Sequence, residues 1–159
     1  MLLQNLPHLA HRDQPIREGH VHISAPHIYG YVLEALDLTP NSSLSFLNIG
    51  SGTGYLSCIA AHLLGPTGIC YGVEISKDAV EHCLASVQRY KAANPDTTEM
   101  YPHMEFVHGN GMHIDASVGE SLVGYDRIYV GSSIERSTLI QLASLLRPGG
   151  VLVGPRKFS

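Results

Sequence analysis

The stretch FLNIGSGTGYLS, residues 46–57, has the residue types from which a nucleotide site is built: an apolar run that breaks into Gly50, Gly52 and Gly54 and restarts as a helical pattern. A strand running into a glycine loop and then a helix N-terminus gathers backbone N–H groups and the positive end of a helix dipole at the carboxyl edge of a sheet. In the dinucleotide fingerprint the spacing is G-x-G-x-x-G, the last glycine allowing close packing of helix on strand. The tighter G-x-G-x-G found here suits a cofactor without a pyrophosphate, where the loop wraps an amino-acid moiety and a ribose. S-adenosylmethionine answers that description. Glu74 stands 20 residues past Gly54, at the end of the next apolar run, where an acidic side chain accepts hydrogen bonds from ribose hydroxyls. An NAD-dependent oxidoreductase is the competing nucleotide reading, and the glycine spacing disfavours it.

Two further positions carry alternatives. In HGNGM, residues 108–112, Asn110 and the Gly111 backbone are placed to approach an adenine edge, or they simply form the turn that ends a strand. Ser24 presents a hydroxyl just before Pro26, and its residue type and place alone favour a cap for the helix that starts there. His20 and His22 alternate onto one side of an extended segment and His27 follows, but third and fourth metal ligands at recognisable spacing are missing, and no metal is expected. Neither a Ser-His-Asp, an HExxH nor a paired-carboxylate pattern is present.

The elements that must position these residues alternate strand and helix, which argues for a parallel sheet in an α/β fold. Residues 44–49, 69–74, 104–108, 127–130 and 151–153 read as short, mostly apolar strands covered on both faces. Leu56, Ile59, Ala60, Leu63 and Leu64 form one helical stripe, stopped by Gly65-Pro66. Ser76 caps a second helix reaching about Ala93, with Val80, Cys83, Leu84 and Val87 on its inner face. A third runs from about Glu135 to Leu146 and ends at RPGG, residues 147–150, before the last strand. Upstream, Pro26 opens a helix that turns Ile28, Val32, Ala35 and Leu36 inward and is expected to lie across the ligand edge of the sheet.

With 159 residues and 44 % hydrophobic content, one domain with a full core is expected. We read residues 1–21 as an N-terminal extension and 22–159 as the domain. Charged residues make up 15 %, the net charge is −4 and neither sign is clustered, so nucleic acid is not an expected partner. No segment approaches the roughly 20 apolar residues that span a bilayer and the start lacks a basic leader, so a cytoplasmic protein without membrane contact is expected. Cys58, Cys70 and Cys83 are odd in number and lack CxxC spacing, which suits reduced core thiols.

Taken together, HISAPHIYGYVLEAL (22–36), LNIGSGTGYLS, YGVEIS (71–76), YDRIYVGS (125–132) and LLRPGGVLVGP (145–155) give a chain that resembles the protein-L-isoaspartate O-methyltransferase family over nearly its whole length. The I-S-A-P-H run is the specific element. The resemblance implies a class I, Rossmann-like methyltransferase that transfers methyl from S-adenosylmethionine to the carboxylate of isoaspartyl residues in damaged proteins, leaving S-adenosylhomocysteine. Position by position it implies Ser24 as the active-site serine that hydrogen-bonds the substrate carboxylate. It likewise implies Gly50, Ser51, Gly52 and Gly54 around the methionine part of the cofactor, Glu74 and Ile75 at ribose and adenine, and Asn110 and Gly111 at the adenine ring. Asn48 joins the cofactor set, although the family usually has Asp there; it usually has Asp at position 110 and Thr at position 22 as well. Asn48 and Asn110, with FLNIGSGTGYLS as a whole, look closer to the methyltransferase-domain-containing relatives. They imply the alternative of a cofactor-binding interaction module, ubiquitin-ligase adaptor-like, that does not methylate. Family members usually continue with two more strands, so the domain is expected to be shortened at its C-terminus. Its last strand would then be an open edge, available to a second copy in a homodimer or leaving the pocket open.

The implied reaction explains why no base is needed. A carboxylate with a pKa near 4 is already ionised at neutral pH. Its attack on a sulfonium methyl merges anion and cation into neutral products, which a site that excludes water favours. What remains is alignment of the reacting atoms, worth about 7 kcal/mol or more, and Ser24 would supply it.

Overall fold

The computed structural model describes residues 12–19, 21–95, 102–114, 124–132 and 134–155. His20, most of the 94–102 loop, the first eleven residues and the RKFS end lie outside them.

Five strands, β3 (Ser45–Ile49), β4 (Ile69–Glu74), β5 (His103–His108), β6 (Tyr125–Val130) and β7 (Leu146–Val153), make one parallel sheet in the order β5-β4-β3-β6-β7. Alternation sends Phe46 of β3 into a cluster with helices α1 (Pro26–Leu36) and α2 (Tyr55–Leu64), and Leu47 and Ile49 into a second cluster with Leu142 of α4 (Arg136–Ala143). Between β4 and β5, α3 (Lys77–Ala93) packs Val80 and Cys83 on Phe106. All five residues of β3 are buried, as the central strand of a doubly covered sheet requires. From β3 the chain moves out to β4 and β5, then returns to β6 on the other side of β3. That reversal makes the carboxyl ends of β3 and β6 the topological switch point, where open α/β sheets bind ligands. No helix among the described residues is long and apolar enough to cross a membrane.

The amino edge of the sheet is pinned by one carboxylate. Asp126 Oδ2 accepts from the Ser45 backbone N–H and hydroxyl, each at 2.8 Å, and from Arg147 Nη1 at 3.1 Å. Burial pushes this carboxyl up, but the Ser45 donors and the Arg147 charge outweigh it and hold Asp126 below the usual carboxylate range.

Four expectations need correction. On α1, Tyr29, Val32, Leu33 and Leu36 face the core, whereas Ile28 and Ala35 are exposed. Val32 and Leu36 are inward as expected, Tyr29 and Leu33 take the places of Ile28 and Ala35, and α1 packs on β6 and β7 along a face of the sheet rather than across its edge. Its C-terminal Leu36 carbonyl accepts from Arg127 at the start of β6, so only the N-terminal turn reaches the ligand edge. On α3, Leu84 is exposed while Ala79 is buried. Finally, α4 stops at Ala143, and RPGG lies inside β7. Tyr125 pairs with Leu146 and Arg127 with Val151, so four residues of β7 bulge opposite one of β6. Pro148 has no N–H to give the ladder and Gly149 takes φ +81°, which is how that segment leaves and rejoins the pairing.

Before α1, β1 (Ile16–Glu18) and β2 (Val21–Ile23) form an antiparallel hairpin. It straddles the boundary expected between residues 21 and 22.

Candidate active site

At the carboxyl end of β3, Gly50, Gly52 and Gly54 take φ of +77°, +53° and +75° in turn. Gly54 is the N-cap of α2, and its lack of a side chain is needed twice over. The conformation disfavours any L residue, and a Cβ there would stand 2.3 Å from Cys83 Sγ and 3.2 Å from two atoms of the Phe106 ring. This close approach seats α2 against α3 and β5.

Four of the loop amides are turned inward. The N–H groups of Gly50 and Ser51 donate to the Val73 carbonyl (2.8 and 3.1 Å), that of Gly54 to the Ser51 carbonyl (2.9 Å), and that of Gly52 to Glu74 Oε2 (2.8 Å). The other Glu74 oxygen accepts from the Ser76 N–H at 2.9 Å. A carboxylate has about four lone-pair sites, so each oxygen keeps one, and the two together can take a pair of ligand hydroxyls. Beside it, Ile75 is 70 % exposed, an apolar surface for a flat ring at the same edge.

The remaining residues expected here divide into those at the cleft and those behind it. Asn110 is exposed, and its Oδ1 accepts from the Met112 N–H at 3.0 Å, capping the 3-10 turn Gly111–His113. Gly111 is buried against Ile49, whose Cγ2 lies 2.3 Å from where a Cβ would be. Ser51 is 7 % exposed. Asn48 stands behind the loop, 2 % exposed. Its Nδ2 donates to Ser57 Oγ in α2 at 2.9 Å, and its Oδ1 has no partner among the described residues.

Ser24 comes to the same edge from the other side. β2 lies beside the loop, with the His22 carbonyl 3.8 Å from the Cβ position of Gly52. Ser24 then precedes Ala25, the N-cap of α1, which makes no side-chain cap. The capping is done from a distance by Asp13. Its Oδ1 accepts from the His27 N–H at 3.0 Å and from His27 Nδ1 at 2.8 Å, and these bonds hold Asp13 below the usual carboxylate range. The Ser24 hydroxyl is therefore not used as a cap and has no hydrogen-bond partner among the described residues. Its backbone N–H donates to Tyr29 Oη at 2.9 Å, and the Tyr29 ring packs on Tyr55, the first residue of α2, at 5.6 Å between centroids.

Sequence reasoning passed over Tyr29, Tyr55, Asp13 and Gly131, whose N–H donates to the Ile49 carbonyl at 2.8 Å and whose backbone lies beside Gly50. Tyr29 had a signal in the spacing of the residue before an N-cap to the fourth helical position. Asp13 had none, since its partner is 14 residues away. Among the described residues no group of three His, Cys, Asp or Glu side chains is arranged to hold a metal ion.

Comparison with known proteins gives a consistent answer. The family model described as "Protein-L-isoaspartate(D-aspartate) O-methyltransferase (PCMT)" matches residues 2–157. A protein-L-isoaspartate O-methyltransferase of Methanothrix thermoacetophila is 32 % identical over 154 residues, 96 % of this chain and 65 % of its own length. A Dictyostelium discoideum relative is 34 % identical over 146 residues, 90 % of this chain and 43 % of its own length. This chain thus spans between about two fifths and two thirds of these relatives. Among solved structures, a Plasmodium falciparum PCMT chain in complex with S-adenosyl-L-homocysteine is 25 % identical, with a TM-score of 0.75 over 99 % of this chain and 72 % of that one.

Proposed function

The chain belongs to the protein-L-isoaspartate(D-aspartate) O-methyltransferase family, and from that premise we propose that it is a cytoplasmic enzyme that binds S-adenosylmethionine and methylates the carboxylate of isoaspartyl residues in damaged proteins. The observation that carries this reading is the Glu74 carboxylate fixed at the rim of the glycine loop by the Gly52 and Ser76 amides. With the amides of Gly50, Ser51, Gly52 and Gly54 satisfied internally and the Glu74 carboxylate at the rim, the cleft suits a cationic nucleoside with free ribose hydroxyls. Three free, buried or half-buried cysteines fit a reducing compartment.

Bound there, S-adenosylmethionine supplies an electrophilic methyl group on a sulfonium. Glu74 would take the ribose hydroxyls on the acceptor sites left over from Gly52 and Ser76, and Ile75 and the Asn110–Gly111 turn would flank the adenine. Asn48 supports the loop from behind through Ser57. Ser24 offers its free hydroxyl to the substrate carboxylate, orienting it while leaving it ionised. No side chain has to take a proton, because the nucleophile has none to lose at neutral pH. β2 lies beside the loop at Gly52, where it would help keep water from the reacting atoms.

Radiolabelled S-adenosylmethionine offered with an isoaspartyl peptide and with its normal aspartyl twin tests this. Label is expected on the first alone. Binding of S-adenosylhomocysteine without transfer would instead support the interaction module, and a response only to NAD would overturn both. β7 is an edge of the described sheet, and pairing of two copies through it is a second expectation, checked by light scattering.

A further inference from the structure

The hydroxyl of Ser24 can orient a substrate only if its own backbone is fixed relative to the cofactor loop. Ser24 lies in an extended link between β2 and α1, outside both ladders, and its N–H precedes the N-cap, where a helix offers no acceptor. Tyr29 provides that acceptor. Side chains on a helix lean toward its N-terminus, so a residue at the fourth helical position reaches back over the first turn to the residue before the cap. Those two positions commonly make an apolar staple. Here the contact is polar, Ser24 N–H to Tyr29 Oη at 2.9 Å.

The tyrosine is itself held. One side of its ring meets Tyr55 at 5.6 Å and a tilt of 53°, and Tyr55 follows Gly54 directly. Tyr129 of β6 lies near as well; burial, with Tyr29 adding to it, pushes that phenol up. A continuous path therefore runs from the glycine loop through the Tyr55 and Tyr29 rings to the Ser24 amide.

We propose that Tyr29 is a positioning residue for methyl transfer, setting the Ser24 hydroxyl relative to the glycine loop through its bond to the Ser24 amide and its packing on Tyr55. The assignment rests on the methyl-transfer reading above. Tyr29 acts through Ser24, so its loss is felt in the alignment step and not in cofactor binding, and it adds nothing once the Ser24 hydroxyl is gone.

The test compares wild type, Tyr29→Phe, Ser24→Ala and the double variant with an isoaspartyl peptide, well below each thermal midpoint. Tyr29→Phe removes one oxygen and keeps the ring stack. Its kcat is expected to fall about fivefold, the size of one net hydrogen bond, with KM for S-adenosylmethionine within twofold of wild type. The double variant is expected to match Ser24→Ala. An active wild type with Tyr29→Phe equally fast overturns the assignment alone, as does a double variant slower than Ser24→Ala by the full fivefold, because a merely structural role would add. A correctly folded wild type that transfers no methyl overturns the proposed function, and this assignment with it.

Discussion

Replacing Gly54 by alanine tests the packing that sets the glycine loop. At φ +75° an L residue is in the left-handed region, which costs about 1–2 kcal/mol. The added methyl would stand 2.3 Å from Cys83 Sγ and 3.2 Å from two Phe106 ring atoms, in a cluster where Cys83 is fully buried. Forcing a methyl into such a packed site typically costs about 1–3 kcal/mol. The expected total is about 2–5 kcal/mol, a large share of the roughly 5–15 kcal/mol that stabilises a domain, and a fall in Tm on the order of 10 °C. Urea unfolding of wild type, Gly54→Ala, Cys83→Ala and the double variant separates the two causes. Removing the Cys83 sulfur relieves the shortest contact and leaves the backbone cost, so the double variant should be about 1–2 kcal/mol more stable than additivity predicts. A Gly54→Ala protein within 0.5 kcal/mol of wild type would refute the packing argument. Strict additivity with Cys83→Ala would refute the assignment of the clash to that sulfur.

Three shorter expectations follow from the same geometry. Ser24→Ala should keep S-adenosylhomocysteine affinity by calorimetry while slowing methyl transfer by about 1–3 kcal/mol of barrier, the worth of a hydrogen bond to a charged group; an unchanged rate would remove Ser24 from the chemistry. Glu74→Gln turns one acceptor into a donor that faces the Gly52 or the Ser76 N–H, and should weaken S-adenosylhomocysteine binding at least about tenfold; affinity within twofold of wild type would count against the ribose role. Asp126→Asn should cost about 2 kcal/mol in urea unfolding at pH 7 without changing cofactor affinity, since it loses charge-assisted bonds at the far edge of the sheet. Because the Asp126 carboxyl is held below its ordinary value, that stabilisation is present above pH 3.8 and is lost as pH falls through the lowered value. The wild type and variant should therefore converge in acid, and an equal gap at pH 7 and pH 2 would contradict the mechanism.

The order of strands and helices, the glycine loop, the Ser76 cap and the placing of Glu74 at a strand end were all legible in the sequence. Each follows from local rules: apolar periodicity, cap chemistry, and the positive φ that three alternating glycines permit. Ser76 does accept from the Ala79 N–H, and β4 does end at Glu74. The RPGG run misled because proline and glycine end helices and also bulge strands, and the pairing with β6 selects the second use. Tertiary structure alone decided that the loop amides turn inward to Val73, Ser51 and Glu74, that Asp13 rather than Ser24 caps α1, and that Tyr29 holds the Ser24 amide against Tyr55. These are hydrogen bonds and ring contacts between segments brought together by the packing of α1 and the hairpin on the sheet. Which donor meets which acceptor across such distances depends on the assembled backbone, and a linear pattern of residue types carries no record of it.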